Sequence, residues 1–273
     1  AWRIAASGLL ALGLGSLWVI NSWDYPTYVL LVVAFLALTA YGMSVSPYKQ
    51  LMLFAGLVLS IIGTSWVLFS PFHGSYETFN TGIEISKWKT PLDSYLVIYG
   101  LFLFIAVSFL ILKVYAQVHG ILRKVCHKKS LLLQEVICLM LLLVGLGIVF
   151  YLTVAGYWTA AFLIILFTLT GVSVVIELTD RLFKNKIQIV PLVLLCMGLA
   201  ISIGVDFVHL SGDIGRMNTV FKLYLQVWLL FGLSTSYMVF FVVHRLWHSW
   251  GRGRSYKCVT VIWLSTAMFL LAS

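Results

Sequence analysis

Charge is what this sequence has least of. Only 10% of its 273 residues are Asp, Glu, Lys or Arg, while 62% are hydrophobic and the mean hydropathy is +1.03. A soluble domain carries about 25% charged residues, so the composition excludes one and points to a polytopic membrane protein. Cysteine is also scarce. The four at 126, 138, 196 and 258 show no CxxC spacing, which excludes a disulfide framework and a zinc ribbon. Walker loop, GxGxxG fingerprint, GxSxG elbow and HExxH motif are all absent. Any catalysis must rest on carboxylates and basic residues, with a divalent cation, Mg or Mn, as the candidate cofactor. There is no initiator methionine and no signal-peptide layout. The chain opens on Ala1-Trp2-Arg3 and stops inside an apolar run. We expect one transmembrane domain over 1–273, a piece of a longer protein that lacks N-terminal helices.

What is present is apolar runs, at about one membrane helix per 20 residues. They fall at about 4–21, 27–46, 50–69, 93–115, 131–154, 158–178, 187–206, 218–243 and 258–272, which predicts an all-α, polytopic transmembrane helical bundle of about nine segments. Gly156-Tyr157-Trp158 splits the fifth from the sixth and predicts a tight helical hairpin. Basic residues in the loops set the orientation. The stretches 116–130, 179–187 and 244–257, with Arg3, Lys49 and Lys113, place 14 of the 18 basic residues on one side, which we expect to be cytoplasmic. The net charge of +9 is therefore a signal of topology in the cell membrane, with anionic lipid as its partner and no nucleic acid.

The opposite, extracytoplasmic side carries the other four basic residues and six of the nine acidic ones. Three segments converge there: SWDYPTY (22–28), the external loop 70–92 with its continuation to residue 95, and VDFVHLSGDIGRMNT (205–219). The third is the most specific. Asn218, Lys222 and Gln226 recur at i, i+4 and i+8 and share one helix face. A polar stripe two turns deep in a membrane helix belongs to the bundle interior or a wet cavity. Arg216 and Lys222 suit a phosphate, arginine through its planar fork and lysine as a point charge. In the first segment, Pro26 is expected to open a helix, leaving Asp24 just outside it as a candidate for substrate or metal. Asp206 closes one helix, and Asp213 lies in the loop before the next; with Asp24 they are the candidate catalytic carboxylates. In the loop, Tyr76 and Glu77 suit a sugar or acceptor. His73 and His209 are a weaker metal pair, without regular spacing.

The blocks N-S-W-D-Y-P-T-Y (21–28), S-P-F from Ser70, T-P-L-D-S-Y (90–95) and G-D-I-G-R-M-N-T-V-F-K-L-Y-L-Q-V-W (212–228) resemble the YYY-type integral membrane proteins of bacteria and archaea. The function of their domain is unknown. The resemblance runs in order over about 10–230 and implies that the chain is the C-terminal part of such a domain. Those proteins are in turn similar to C-type membrane glycosyltransferases. That second step implies transfer of a sugar from a polyprenyl-phosphate carrier at the extracytoplasmic face, with the main general base in the missing N-terminal part. Two alternatives stay open: a transporter or flippase for a lipid-linked or anionic substrate, and a structural subunit held by other membrane subunits.

Overall fold

The structure is a computed structural model that describes residues 2–76, 82–126, 132–179, 188–211, 215–249 and 254–272. Its order is α1 (Trp2–Ile20), α2 (Asp24–Tyr41), α3 (Pro47–Leu68), α4 (Ser70–Ser75), β1 (Ile83–Ile85), α5 (Leu92–Cys126), α6 (Leu133–Val154), α7 (Trp158–Thr179), α8 (Ile189–Phe207), β2 (Val208–Leu210), α9 (Met217–Ser249) and α10 (Arg254–Ala272). Among the described residues seven helices, α2, α3 and α5 to α9, are long and apolar enough to cross a membrane. The apolar stretches of α1 and α10, Ile4–Ile20 and Val259–Leu271, are shorter. The all-α bundle is as expected, and each of the nine apolar runs is a helix.

The helix boundaries follow local chemistry. Pro26, Pro47, Pro71 and Pro191 all sit in a first helical turn, where the missing N–H costs nothing, and Pro91 immediately precedes α5. Inside the helices, hydroxyls return to the carbonyl one turn back: Thr39 to Phe35, Thr153 to Val149, Thr170 to Leu166 and Ser173 to Leu169. That bond satisfies a hydroxyl where no water is at hand.

Several expectations need correction. α5 does not stop near residue 115; it runs 35 residues to Cys126. The basic stretch that reads as loop by hydropathy contains no proline and many good helix formers, and helical propensity does not fall with apolarity. α9 likewise continues to Ser249, placing His244 and His248 on a helix, with their rings 4.2 Å apart. The external segment from residue 70 is not all loop. It begins as α4, and β1 later pairs with β2, flanked by Ser211 N–H donating to Gly82 O (2.9 Å) and Ser86 N–H donating to Phe207 O (2.8 Å).

The chain divides into two compact units, Ala1–Glu84 with His209–Gln226, and Ile85–Val208 with Val227–Ser273. In the first, α1, α2 and α3 pack around Ala11, Leu14 and Ile61, covered by Tyr25, Tyr28, Val29, Val32 and Leu36. Gly15 lets the ring of Phe69 approach so closely that a Cβ there would overlap it. In the second, α7 lies against α5, α6 and α8. The expected hairpin is present: Tyr157 N–H bonds Leu152 O at 2.8 Å, and Gly156 takes a φ of 77°, a conformation that favours glycine. Lys113 on α5 and Glu177 on α7 form an ion pair at 2.7 Å. Glu135 accepts the N–H of Leu132 at 3.1 Å and so caps its own helix.

Candidate functional site

The first unit brings the start of α2 to the first three turns of α9. The helix α2 opens at Asp24, two residues earlier than Pro26 suggests, because Asp24 N–H already bonds Asn21 O at 3.0 Å. Asp24 is thus in the first turn, where a carboxylate complements the positive helix end. Its Oδ1 accepts from Asn21 Nδ2 at 3.0 Å and also from Gln226 Nε2. The same Nε2 lies 3.3 Å from the carbonyl of Trp23. One turn earlier on α9, the ammonium of Lys222 rests over the Trp23 ring, 4.8 Å from its centroid.

The i, i+4, i+8 stripe of the sequence is graded in exposure. Asn218 is exposed, Lys222 half-buried and Gln226 only 5% exposed. Among the described residues no carboxylate stands within ion-pair distance of Lys222, whose one described partner is an aromatic face. A cation on an indole is worth about 0.5–2 kcal/mol, and it leaves the ammonium protons available to an anion. Arg216 occupies the turn before α9, beside Gly215 at φ 64°, and like Asn218 it has interactions of its own.

An aromatic cluster in this unit is not apparent from sequence spacing. Trp18, in the last turn of α1, sits edge-on to Tyr25 (4.7 Å), Trp66 (5.9 Å) and His73 (5.7 Å). Trp66 and His73 stack at 3.9 Å with their planes 8° apart. Tyr76 stacks on Phe72 at 4.9 Å and is 39% exposed. The signal was there in the ends of the apolar runs: Trp18 falls in the last turn of the helix that runs into SWDYPTY, and Trp66 in the last turn of the helix that runs into the external segment from Ser70. Such residues read as an interfacial belt until the fold brings them together. Glu77 and Asp213 lie outside the described residues.

The other candidates have other surroundings. Asp206 belongs to the second unit, is 1% exposed, and accepts from both the N–H (3.0 Å) and the hydroxyl of Thr90. Thr159 Oγ1 donates to Thr90 O at 2.7 Å, and Lys89 donates to Ala155 O at 2.6 Å while lying over Tyr157. This network ties residues 89–90 to the α6–α7 turn and to the end of α8. His209 lies in the first unit with its Nε2 3.7 Å from Glu84, and His73 is engaged with Trp66, so the two histidines have separate partners. Among the described residues no three of His, Cys, Asp and Glu cluster as a metal site.

The model of one protein family, described as an uncharacterized membrane protein family (DUF2298), matches residues 1–231. No curated protein and no solved structure matches the chain. The matched stretch takes in α1 to α8, Lys222 and Gln226, and the chain belongs to the DUF2298 family of membrane proteins.

Proposed function

We propose that the first unit binds the phosphate of a polyprenyl-phosphate-linked sugar at the extracytoplasmic face of the cell membrane, in the service of glycosyl transfer. The observation that carries this reading is Lys222, a half-buried cation of a membrane helix held on Trp23 with no carboxylate within ion-pair distance among the described residues. An ionisable group placed so in an apolar helix is costly unless an anion completes it. A lipid phosphate meets the requirement, since its acyl chain stays in the bilayer while its charge reaches the helix end. Arg216, in the turn immediately before α9, supplies a second cation beside it in the sequence. The aromatic cluster of Trp18, Trp66, His73 and Tyr76 suits the apolar faces of a sugar ring.

Transfer needs a group to activate the acceptor and charge stabilisation on the leaving phosphate. Lys222 and Arg216 fit the second role. Of the three carboxylates proposed for the first, Asp24 and Asp206 already accept hydrogen bonds in their own units. On this reading Asp24 is a positioning residue.

A transport path would require polar groups to continue beyond Gln226. Those on α9 do not project free: Ser234 donates to Pro191 O (2.7 Å), Thr235 to Phe231 O (2.7 Å) and Ser236 to Gly232 O (2.7 Å). All three hydroxyls are absorbed by backbone carbonyls, which favours binding over passage. In lipid nanodiscs, Lys222→Met is expected to weaken binding of polyprenyl phosphate at least about tenfold, in line with loss of a charge-assisted contact. The exposed Lys49→Met should leave it unchanged. Equal binding by both variants would refute the assignment.

A further inference from the structure

Gln226 is 5% exposed, and its two amide ends have unequal surroundings. The Nε2 end is held twice, by the Asp24 carboxylate and by the carbonyl of Trp23. Its Oε1 is buried and receives no hydrogen bond among the described residues. The amide cannot relieve this by turning over, because a flip would set Oε1 against the carboxylate and the carbonyl, two acceptors. Its orientation is therefore fixed by its neighbours. A buried acceptor without a donor is costly, and native structures complete such groups with water or a ligand.

We infer that Gln226 Oε1 is the receptor for a hydroxyl of the bound lipid headgroup, so that the substrate class of this site is a polyol phosphate and not a bare phosphate. The inference rests on the phosphate reading of Lys222 and deepens it. Lys222 and Gln226 are four residues apart on α9 and lie on the same face, one turn from each other, about 5–6 Å between Cβ atoms. A ligand that satisfies both carries its anionic group on Lys222 and an O–H donor one helical turn further in. A fully ionised phosphate oxygen cannot serve at the second position, since it has no proton to give. The comparison below is therefore made at a pH well above the second pKa of a phosphate monoester, about 6. Trp23 is common to both halves: its ring carries the Lys222 ammonium and its carbonyl holds the Gln226 amide. Anion and hydroxyl recognition are thus built on one residue, the one that immediately precedes α2.

The hydroxyl has two sources of the same chemistry, a sugar on a polyprenyl phosphate or the glycerol headgroup of a phospholipid. The test compares four lipids in nanodiscs carrying the full chain: polyprenyl phosphate, polyprenyl-phosphoryl glucose, phosphatidic acid and phosphatidylglycerol. We expect the wild-type chain to bind at least one hydroxyl-bearing lipid about tenfold more tightly than its bare counterpart. Whichever pair shows the preference identifies the source. Gln226→Met, of similar length and apolar, should abolish that preference while binding of the bare phosphate persists, which also shows that the variant folds. Lys222→Met should lower binding of all four. A preference unchanged in Gln226→Met, with binding still lost in Lys222→Met, overturns this inference and leaves the phosphate site standing. Loss in neither variant removes both. If Gln226→Met fails to fold, a density map of the wild-type chain with the preferred lipid decides: a headgroup oxygen at hydrogen-bond distance from Oε1 supports the assignment. Only an ordered water there overturns it.

Discussion

Single residues in this chain are informative where a charge meets an apolar helix. Lys222 is one such residue, and Lys113 is another with the opposite solution. Lys113 is 9% and Glu177 22% exposed, and they satisfy each other at 2.7 Å between α5 and α7. Removing one partner strands the other at low dielectric. Lys113→Leu is therefore expected to cost on the order of 3 kcal/mol of stability. The double change Lys113→Leu with Glu177→Leu should recover most of it, because no uncompensated charge is left. Unfolding in detergent of both single variants and the double tests this, and simple additivity of the single losses would show that the pair is not coupled. That Glu177 needs a cationic partner is legible from its place near the end of an apolar run. The identity of the partner is not, since 64 residues of sequence separate the two and only helix packing joins them.

Among elements, the α6–α7 hairpin was the most legible and α5 the least. A glycine and two aromatics between long apolar runs specify a turn that must reverse within three residues, and Gly156 at φ 77° is where the backbone does so. A Cβ at that position meets a left-handed backbone and also stands 3.3 Å from Lys89 Nζ. Gly156→Ala should destabilise the chain by about 1–2 kcal/mol. A smaller loss on thermal unfolding, below about half a kcal/mol, would mean that the turn relaxes to a negative φ. The extra length of α5 was hidden for a physical reason. Hydropathy reports where a helix would leave the bilayer, while backbone hydrogen bonding continues as long as no proline or glycine run interrupts it. Similarly, α2 begins at Asp24 because Asn21 supplies an acceptor for the backbone of Asp24, a local bond that the proline rule does not weigh.

For the whole molecule, the uneven placement of 14 of 18 basic residues gives a prediction about sidedness. In a chain with its own cysteines replaced, single cysteines at 49, 128 and 252 should be labelled by a membrane-impermeant reagent only from the cytoplasmic side of oriented vesicles. Cysteines at 75 and 87 should be labelled only from outside. Labelling of both sets from the opposite sides would reverse the topology, and mixed labelling within either set would refute it, and with it the extracytoplasmic setting of the proposed binding site.

The sequence by itself determined the membrane class, the all-α bundle, the approximate place of each apolar helix and the polar stripe of α9. Each of these is a local property: apolar run length, the 3.6-residue period and the position of turn residues act within one element. The tertiary structure alone decided what that stripe faces. It set Gln226 on Asp24 and Trp23 across about 200 residues of sequence, put Lys222 on an indole, and gathered Trp18, Trp66 and His73. It also gave Asp206 to Thr90 in the other unit, although Asp206 and Asp213 look alike as neighbouring carboxylates in the sequence. The physical reason is that a hydrogen-bond donor and acceptor far apart in the chain carry no mark of each other. In an apolar environment their pairing is chosen by which helix faces pack, and that choice belongs to the fold.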